Sequence, residues 1–395
     1  MKILWLPQFS SVKEGKYYIA SDSNYSFAKN LIPSLLKVFP ELEIFFLLPW
    51  DVAKSDYLEF YKFAQTYEIK ISKIKMTTSV FGTRYSFDYE YMKELIEKIK
   101  SDYIWENNPV HARALKTILW ELKYDTKILV YYHWIDSPDY PKVAPEISYW
   151  YRQIEGAVSA DLIFLNSHYA LAQICTSIHK TLRDVTIVKS LVKKMYKVPP
   201  IFDSKLFEFK KSKSLECKGI IFNHRLSSLS YYKDNFNILA DFMEKFIKKN
   251  GWGPKVYFTN PSRKEEPKVN FEAEFLDLSL PDYYKFLGSD KVTIAPNFFL
   301  HSQGMWSIST VEAGLLGNAV ILPYKYGYME CAPKDYSGFF KTKEEAYQLF
   351  EKVLLDNEFK TQLIEEYNKF YSNVNGDKLA KKVMELLKRG INNEL

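Results

Sequence analysis

The sequence predicts an α/β protein made of two doubly wound domains. Three observations carry this prediction. Short apolar runs alternate with longer amphipathic segments along the first half, the same alternation restarts after residue 217, and a proline-containing polar stretch separates the two series. Alternation of this kind gives a parallel sheet with helices on both faces. A length of 395 residues exceeds one ordinary core and suits two.

In the first series the apolar runs 3–6, 44–48, 69–74, 103–106, 128–133 and 162–166 read as strands, with helices over 25–38, 57–67, 91–99 and 110–122 between them. The second series places strands at 219–222, 256–259, 292–295 and 319–322, and helices at 235–248, 283–287 and 309–316. Three further helices, over 344–355, 359–371 and 378–388, close the chain. Between the series lie Pro199 and Pro200, then the polar run Lys210-Lys211-Ser212-Lys213, the composition of a linker. The reading is therefore a Rossmann-like domain over 1–205, a second over 206–375, and a C-terminal helix over 376–395 that packs back on the first.

The hydrophobic fraction of 47% is enough for burial to offset chain entropy. Aromatic residues, 30 Tyr and 28 Phe among them, serve cores first, though rings also line sites that stack on sugars and bases. The net charge of +6 suits phosphate-bearing ligands, nucleic acid or an anionic membrane surface and selects none of them, and a chain of this length can carry it with no polyanionic partner. Three widely spaced cysteines give neither a disulfide framework nor a zinc pattern, so a reducing compartment is expected. The N-terminal apolar run is too short for a signal peptide and the run 44–50 too short to span a bilayer, which predicts a cytoplasmic protein without a transmembrane segment.

Three segments have residues suited to chemistry. Ile220-Ile221-Phe222-Asn223-His224-Arg225 ends a strand before a helix that follows Lys233. Carboxyl ends of strands are where open α/β sheets bind ligands, and Arg225 and Lys233, just before a helix start, can converge on a diphosphate. The plainer alternative is two cations on a solvated loop. In the second segment, Gln303-Gly304-Met305-Trp306-Ser307-Ile308-Ser309-Thr310-Val311-Glu312, a glycine-led loop enters a helix. The backbone amides and hydroxyls of the stretch from Gly304 to Ser309 can hold phosphate oxygens, and Glu312 can accept from the two hydroxyls of a ribose; a Glu312 that merely caps or pairs is the alternative. Gly317 lets that helix stop tightly. In the third, His133 ends an apolar strand before a loop with Asp136, a position that enters a cleft, although a lone His is more often structural.

The second segment resembles the glutamate-bearing signature of glycosyltransferase family 4: a Gly-rich loop, then Glu312-Ala313, then Gly317-Asn318-Ala319-Val320-Ile321. The stretch from Pro199-Pro200 to Phe207 is similar to the family's exit from its first domain, and 160–167 to the strand before it. The resemblance covers most of residues 125–325. It implies a GT-B fold, two Rossmann-like domains with a cleft between them, and transfer with retention of anomeric configuration. It also implies a nucleotide-sugar donor, such as a UDP- or GDP-sugar, held by the C-terminal domain, with the acceptor on the N-terminal side. On that likeness Arg225 and Lys233 bind the diphosphate and Glu312 the ribose. Ser309 or Thr310 touches phosphate, and His133, with Asp136 nearby, faces the sugar and acceptor. The family's second glutamate, eight positions before Glu312, is Gly304 here.

A narrower likeness, through Asn223-His224-Arg225 and through His133 ahead of Tyr140-Pro141, is to the glycosyltransferases that modify queuosine in tRNA. It points the acceptor toward a hydroxylated nucleobase, in tRNA or in hypermodified phage DNA. The basic stretch Lys180, Arg183, Lys189, Lys193, Lys194 and Lys197 is either a phosphate-backbone contact or a solvated face.

No Gly-x-Gly-x-x-Gly follows the first strand and no Gly-x-x-x-x-Gly-Lys-Ser/Thr occurs, which argues against dinucleotide and P-loop enzymes. No Asp-x-Asp metal motif stands out, so no metal or further cofactor is required. The expected activity is a nucleotide-sugar-dependent hexosyltransferase. A glycan- or lipid-directed family 4 enzyme, a GT-B sugar-nucleotide epimerase and a non-catalytic sugar-nucleotide-binding module remain open, as does the oligomeric state.

Overall fold

The computed structural model describes the chain except residues 8, 10–11, 14–15, 20–21, 79–84, 108, 134, 136–146, 203, 211–215, 217–218, 225–229, 260–267, 300–305, 373–375 and 392–395. For 12–13, 76–78, 85–86, 147–149, 204–205, 207 and 230–233 it describes the backbone alone. The chain forms two units, Met1–Ile201 with Gly376–Leu395, and Phe202–Asn375. The division therefore falls four residues before the one drawn from the sequence.

The main sheet of the first unit has, among the described residues, seven strands in chain order: β1 Lys2–Leu6, β2 Glu43–Pro49, β3 Lys70–Ile74, β4 Tyr103–Asn107, β5 Lys127–Tyr132, β6 Leu162–Leu165 and β7 Met195–Lys197. They pair in parallel in the order β7-β6-β5-β4-β1-β2-β3. A parallel sheet covered on both faces needs strands apolar throughout, and β1, β4, β5 and β6 meet that demand, being buried almost end to end. Trp5 stacks on Trp105 at 4.2 Å across the β1–β4 pair.

Helices α1 Ser23–Val38, α2 Lys54–Thr66, α3 Tyr89–Ile99, α4 Ala112–Leu122, α5 Ile147–Ser159, α6 His168–Leu182 and α7 Val185–Val192 fill the crossovers. Of these the sequence reading gave α1 to α4; α5 to α7 emerge only in the structure. Asp22 caps α1 through Asn24 N at 2.9 Å, and Ser167 caps α6 through Ala170 N at 3.0 Å.

The second unit repeats the plan: β8 Gly219–Phe222, α8 Ser230–Asn250, β9 Lys255–Phe258, β10 Ala273–Phe275, α9 Leu280–Leu287, β11 Ile294–Pro296, α10 Ile308–Leu315, β12 Ala319–Pro323, β13 Phe339–Phe340, α11 Lys343–Leu355 and α12 Asn357–Ser372. Its strands pair in parallel in the order β10-β9-β8-β11-β12-β13. The last helix, α13 Gly376–Ile391, belongs to the first unit. Its stripe Ala380, Val383, Met384 and Leu387, at helical spacing, is buried, and Tyr103 donates to the Leu387 carbonyl at 2.6 Å.

Candidate functional site

In the second unit the strand order reverses between β8 and β11, so the connections from these neighbours leave in opposite directions. In open α/β sheets such a switch point, outside the carboxyl ends of the two strands, is where ligands bind. Asn223 and His224 follow β8, Asn297 follows β11, and α10 starts at the same end of the sheet.

Side-chain bonds fix these pieces to one another. Asn223 Nδ2 donates to the Ser309 carbonyl at 2.7 Å and to the Tyr283 hydroxyl at 2.9 Å, tying the end of β8 to the first turn of α10 and to α9. His224 is buried, and its Nε2 lies 3.0 Å from the Pro296 carbonyl, which assigns the proton to that nitrogen. Burial holds the His224 imidazole down at about 4, so it is neutral near pH 7. Asn297 Nδ2 donates to Thr310 Oγ1 at 3.2 Å, and Thr310 Oγ1 pairs with Ser307 Oγ at 2.7 Å. The Ser307 hydroxyl is thus engaged with a side chain and makes no capping bond to the helix it precedes.

Glu312 stands one turn into α10 and is 7% exposed. Tyr284 of α9 donates to its Oε1 at 2.9 Å. Burial pushes the Glu312 carboxyl up from 4.5 to about 7, against the opposing pull of the Tyr284 hydroxyl. The far end of α10 is also fastened. Asn318 Nδ2 donates to the Leu287 and Ala313 carbonyls at 3.1 and 2.7 Å, and Gly317 takes φ +86°, the left-handed conformation that suits glycine. Gly314 faces the buried ring of Tyr367 on α12, where a Cβ would meet Cε1 at 2.3 Å.

Of the residues singled out from the sequence, Ser309, Thr310 and Glu312 share α10 at this switch point. Ser309 is half-buried with its carbonyl taken by Asn223, whereas the Thr310 hydroxyl turns inward as a strut between Asn297 and Ser307. Lys233 corrects the sequence reading: α8 begins at Ser230, so Lys233 lies within the helix's first turn and not on the loop before it. Helix N-termini carry a partial positive charge, and that start of α8 sits at the same sheet end. Arg225, Gly304 and Asp136 lie outside the described residues.

His133 belongs to the first unit, just beyond β5. Its ring meets Phe27 and Tyr131 edge-on at 5.1 and 4.7 Å, and its carbonyl accepts from Asn166 Nδ2 at 2.9 Å. The residue is partly exposed, but Nε2 is shielded from solvent and has no hydrogen-bond partner among the described residues. Burial lowers its imidazole from 6.5 to about 3. In the basic stretch, Lys194 is a structural strut, its ammonium donating to the Ala160 carbonyl.

Sequence reasoning passed over Tyr284 and Asn297. Asn297 had a legible signal, a polar residue just after an apolar strand. Among the described residues no group of three His, Cys, Asp or Glu side chains is placed to hold a metal ion, and no helix is long and apolar enough to cross a membrane.

Two parallel α/β units with these strand orders define the GT-B fold, and comparison with solved structures bears this out. The chain is similar to the sucrose-phosphate synthase of Thermosynechococcus elongatus, with a TM-score of 0.68 at 10% identity over 98% of each chain. It is similar to Anabaena HepE, solved in complex with UDP-glucose, with a TM-score of 0.66 at 13% identity over 98% of this chain and 99% of that one. A glycosyltransferase from Rickettsia africae gives 0.65 at 12% identity over 99% of each. No protein-family model and no curated protein sequence matches the chain.

Proposed function

We propose that this protein is a glycosyltransferase that takes a hexosyl group from a nucleoside diphosphate sugar and transfers it, with retention, to an acceptor hydroxyl. The observation that carries the reading is the reversal of strand order at the β8–β11 switch point. A helix whose preceding serine makes no capping bond opens there, and a buried carboxylate, Glu312, follows one turn inside it. The start of α10 suits phosphate oxygens, and Glu312 suits a ribose diol. The fold supports the same donor class, since Anabaena HepE has been solved with UDP-glucose. UDP-glucose is therefore the first donor to try.

In the proposed reaction the acceptor oxygen attacks the anomeric carbon as the bond from that carbon to the β-phosphate oxygen breaks. Negative charge grows on the leaving diphosphate, where the first amides of α10 and the cations Arg225 and Lys233 stabilise it. In a front-face reaction that phosphate takes the acceptor proton, so no side-chain nucleophile is needed. For the acceptor, similarity to a sucrose-phosphate synthase favours a sugar hydroxyl over the modified nucleobase expected from short motifs.

The test is transfer of labelled sugar from a panel of nucleotide sugars to sugar phosphates, hydroxymethylated DNA and tRNA, alongside calorimetry with UDP. Transfer to any acceptor supports the reading, and the acceptor labelled decides its class. Sugar release or epimerisation without an acceptor would replace it with the epimerase, binding without turnover with the sugar-nucleotide-binding module, and failure of every nucleoside diphosphate to bind would remove the donor site. Arg225→Ala should weaken UDP binding by about tenfold or more, the worth of a charge-assisted hydrogen bond.

A further inference from the structure

We propose that Tyr284 is a positioning residue that sets how the site reads the sugar of the nucleotide: by holding one carboxylate oxygen of Glu312, it aims the group at a ribose diol and makes the site prefer ribonucleotides over 2′-deoxyribonucleotides. This rests on the donor-site reading of Glu312 above.

A carboxylate that is to receive two vicinal hydroxyls must be ionised and must present its oxygens in a fixed plane. Glu312 is buried on a helix packed into the core, where the charged form is disfavoured and free rotation of the carboxyl would blur its direction. Tyr284 answers both needs with one bond, donating to Oε1 at 2.9 Å from a different helix. A phenol donor stabilises the ionised form and pins one oxygen.

The bond is also separable from the scaffold. α9 and α10 are joined independently of it, at one end through Asn223, which bonds Tyr283 and the Ser309 carbonyl, and at the other through Asn318, which bonds the Leu287 and Ala313 carbonyls. Removing the Tyr284 hydroxyl therefore leaves the two helices tied. The ring of Tyr284, against Tyr283 and Phe209, is retained in a phenylalanine.

The experiment is calorimetry of UDP and 2′-deoxy-UDP on the full chain, for the parent, Tyr284→Phe, Glu312→Gln, the double variant and Asn318→Ala. The expected result is that Tyr284→Phe weakens UDP by about tenfold and 2′-deoxy-UDP by about twofold or less, so that the ribose preference collapses. On the Glu312→Gln background the same change should do little, because the two act as one unit. Asn318→Ala loosens the helix pair and is expected to lower the melting temperature while leaving the ribose preference intact. Should Tyr284→Phe weaken both nucleotides alike or leave the ratio unchanged, Tyr284 is only a packing residue. If the parent binds UDP but Glu312→Gln keeps the full ribose preference, Glu312 is not the ribose group and the donor-site reading falls with the inference. A ribose preference that survives Tyr284→Phe yet vanishes in Glu312→Gln overturns the inference alone.

Discussion

Glu312→Gln tests the energetics of the site without any ligand. The carboxyl has an ordinary value of 4.5 and stands at about 7 in the folded chain, because burial penalises its charge. That difference, at about 1.4 kcal/mol per pH unit, amounts to roughly 3 kcal/mol. The sign follows from proton counting. Between pH 4.5 and 7 the folded state keeps a proton that the unfolded state has released, so stability falls as pH rises through that window. Below it both states are protonated and the residue costs nothing through its charge. Above pH 7 the folded chain bears the full penalty. Glutamine has the same shape and no charge, so it escapes the penalty at every pH. The variant should therefore gain little on the parent at pH 4.5 and about 3 kcal/mol at pH 8. For a unit of this size that is about 6–12 °C in melting temperature. The assay is thermal unfolding of the full chain at both pH values, followed by tryptophan fluorescence, with Trp252 and Trp306 reporting on the second unit. Any fixed cost of burying an amide appears equally at both values and cancels. An identical shift at pH 4.5 and pH 8 would refute the reasoning, since it would mean that Glu312 does not bear its charge at a cost.

Other positions make further predictions. His224, held down at about 4 from an ordinary 6.5, stabilises the fold above pH 6.5 and loses that contribution as pH falls toward 4. His224→Gln should therefore flatten the acid limb of the stability curve, by about 2 kcal/mol at pH 5, read as denaturant midpoints from pH 7 to pH 4. Gly314→Ala places a methyl 2.3 Å from the enclosed Tyr367 ring and should cost about 1–3 kcal/mol in urea unfolding. Asn318→Ala leaves the Leu287 and Ala313 carbonyls without their side-chain donor and should cost a similar amount, about 1–3 kcal/mol by the same measurement.

The strands at the centre of each sheet were legible because a parallel strand covered on both faces must be apolar along its length. Runs such as 44–48 and 219–222 admit little else. The edge strands β7, β10 and β13 are two or three residues long and have no such signal. The C-terminal ends of α3 and α4 were read at 99 and 122, where the structure ends them, although Lys100 and Lys123 close these helices in the left-handed conformation at φ 51° and 56°, where a reader looks for glycine or asparagine; their starts were each two residues off, at 91 against Tyr89 and at 110 against Ala112. β11 was placed two residues early at its start because Val292 and Thr293 read as strand, while the pairing with β8 and β12 runs from Ile294 to Pro296. In the candidate site, Glu312 could be singled out because its signal is local, a carboxylate inside a helix after a glycine-led loop. Tyr284 could not. It is a tertiary contact across 28 residues, and one tyrosine among 30 carries no mark of it.

α10 shows how a fold can hold a costly group in place. Every residue from Thr310 to Leu316 is buried, so the body of the helix is part of the core of the second unit and cannot move without disturbing it. Ser307, just before the helix, and its first residues Ile308 and Ser309 are only half-buried and lie at the carboxyl end of the sheet. A helix locked at one end and open at the other presents its amides without any rearrangement on binding, and stabilisation of a developing charge works best from dipoles already in place. Glu312 lies at the boundary between these two parts. It is deep enough for its charge to be expensive, and it stands one turn from the half-buried start of the helix. A buried isostere without charge would serve the core better. The roughly 3 kcal/mol it forgoes is what ligand hydroxyls donated to the ionised carboxylate can recover, which ties the least stable feature of the helix to the proposed donor site.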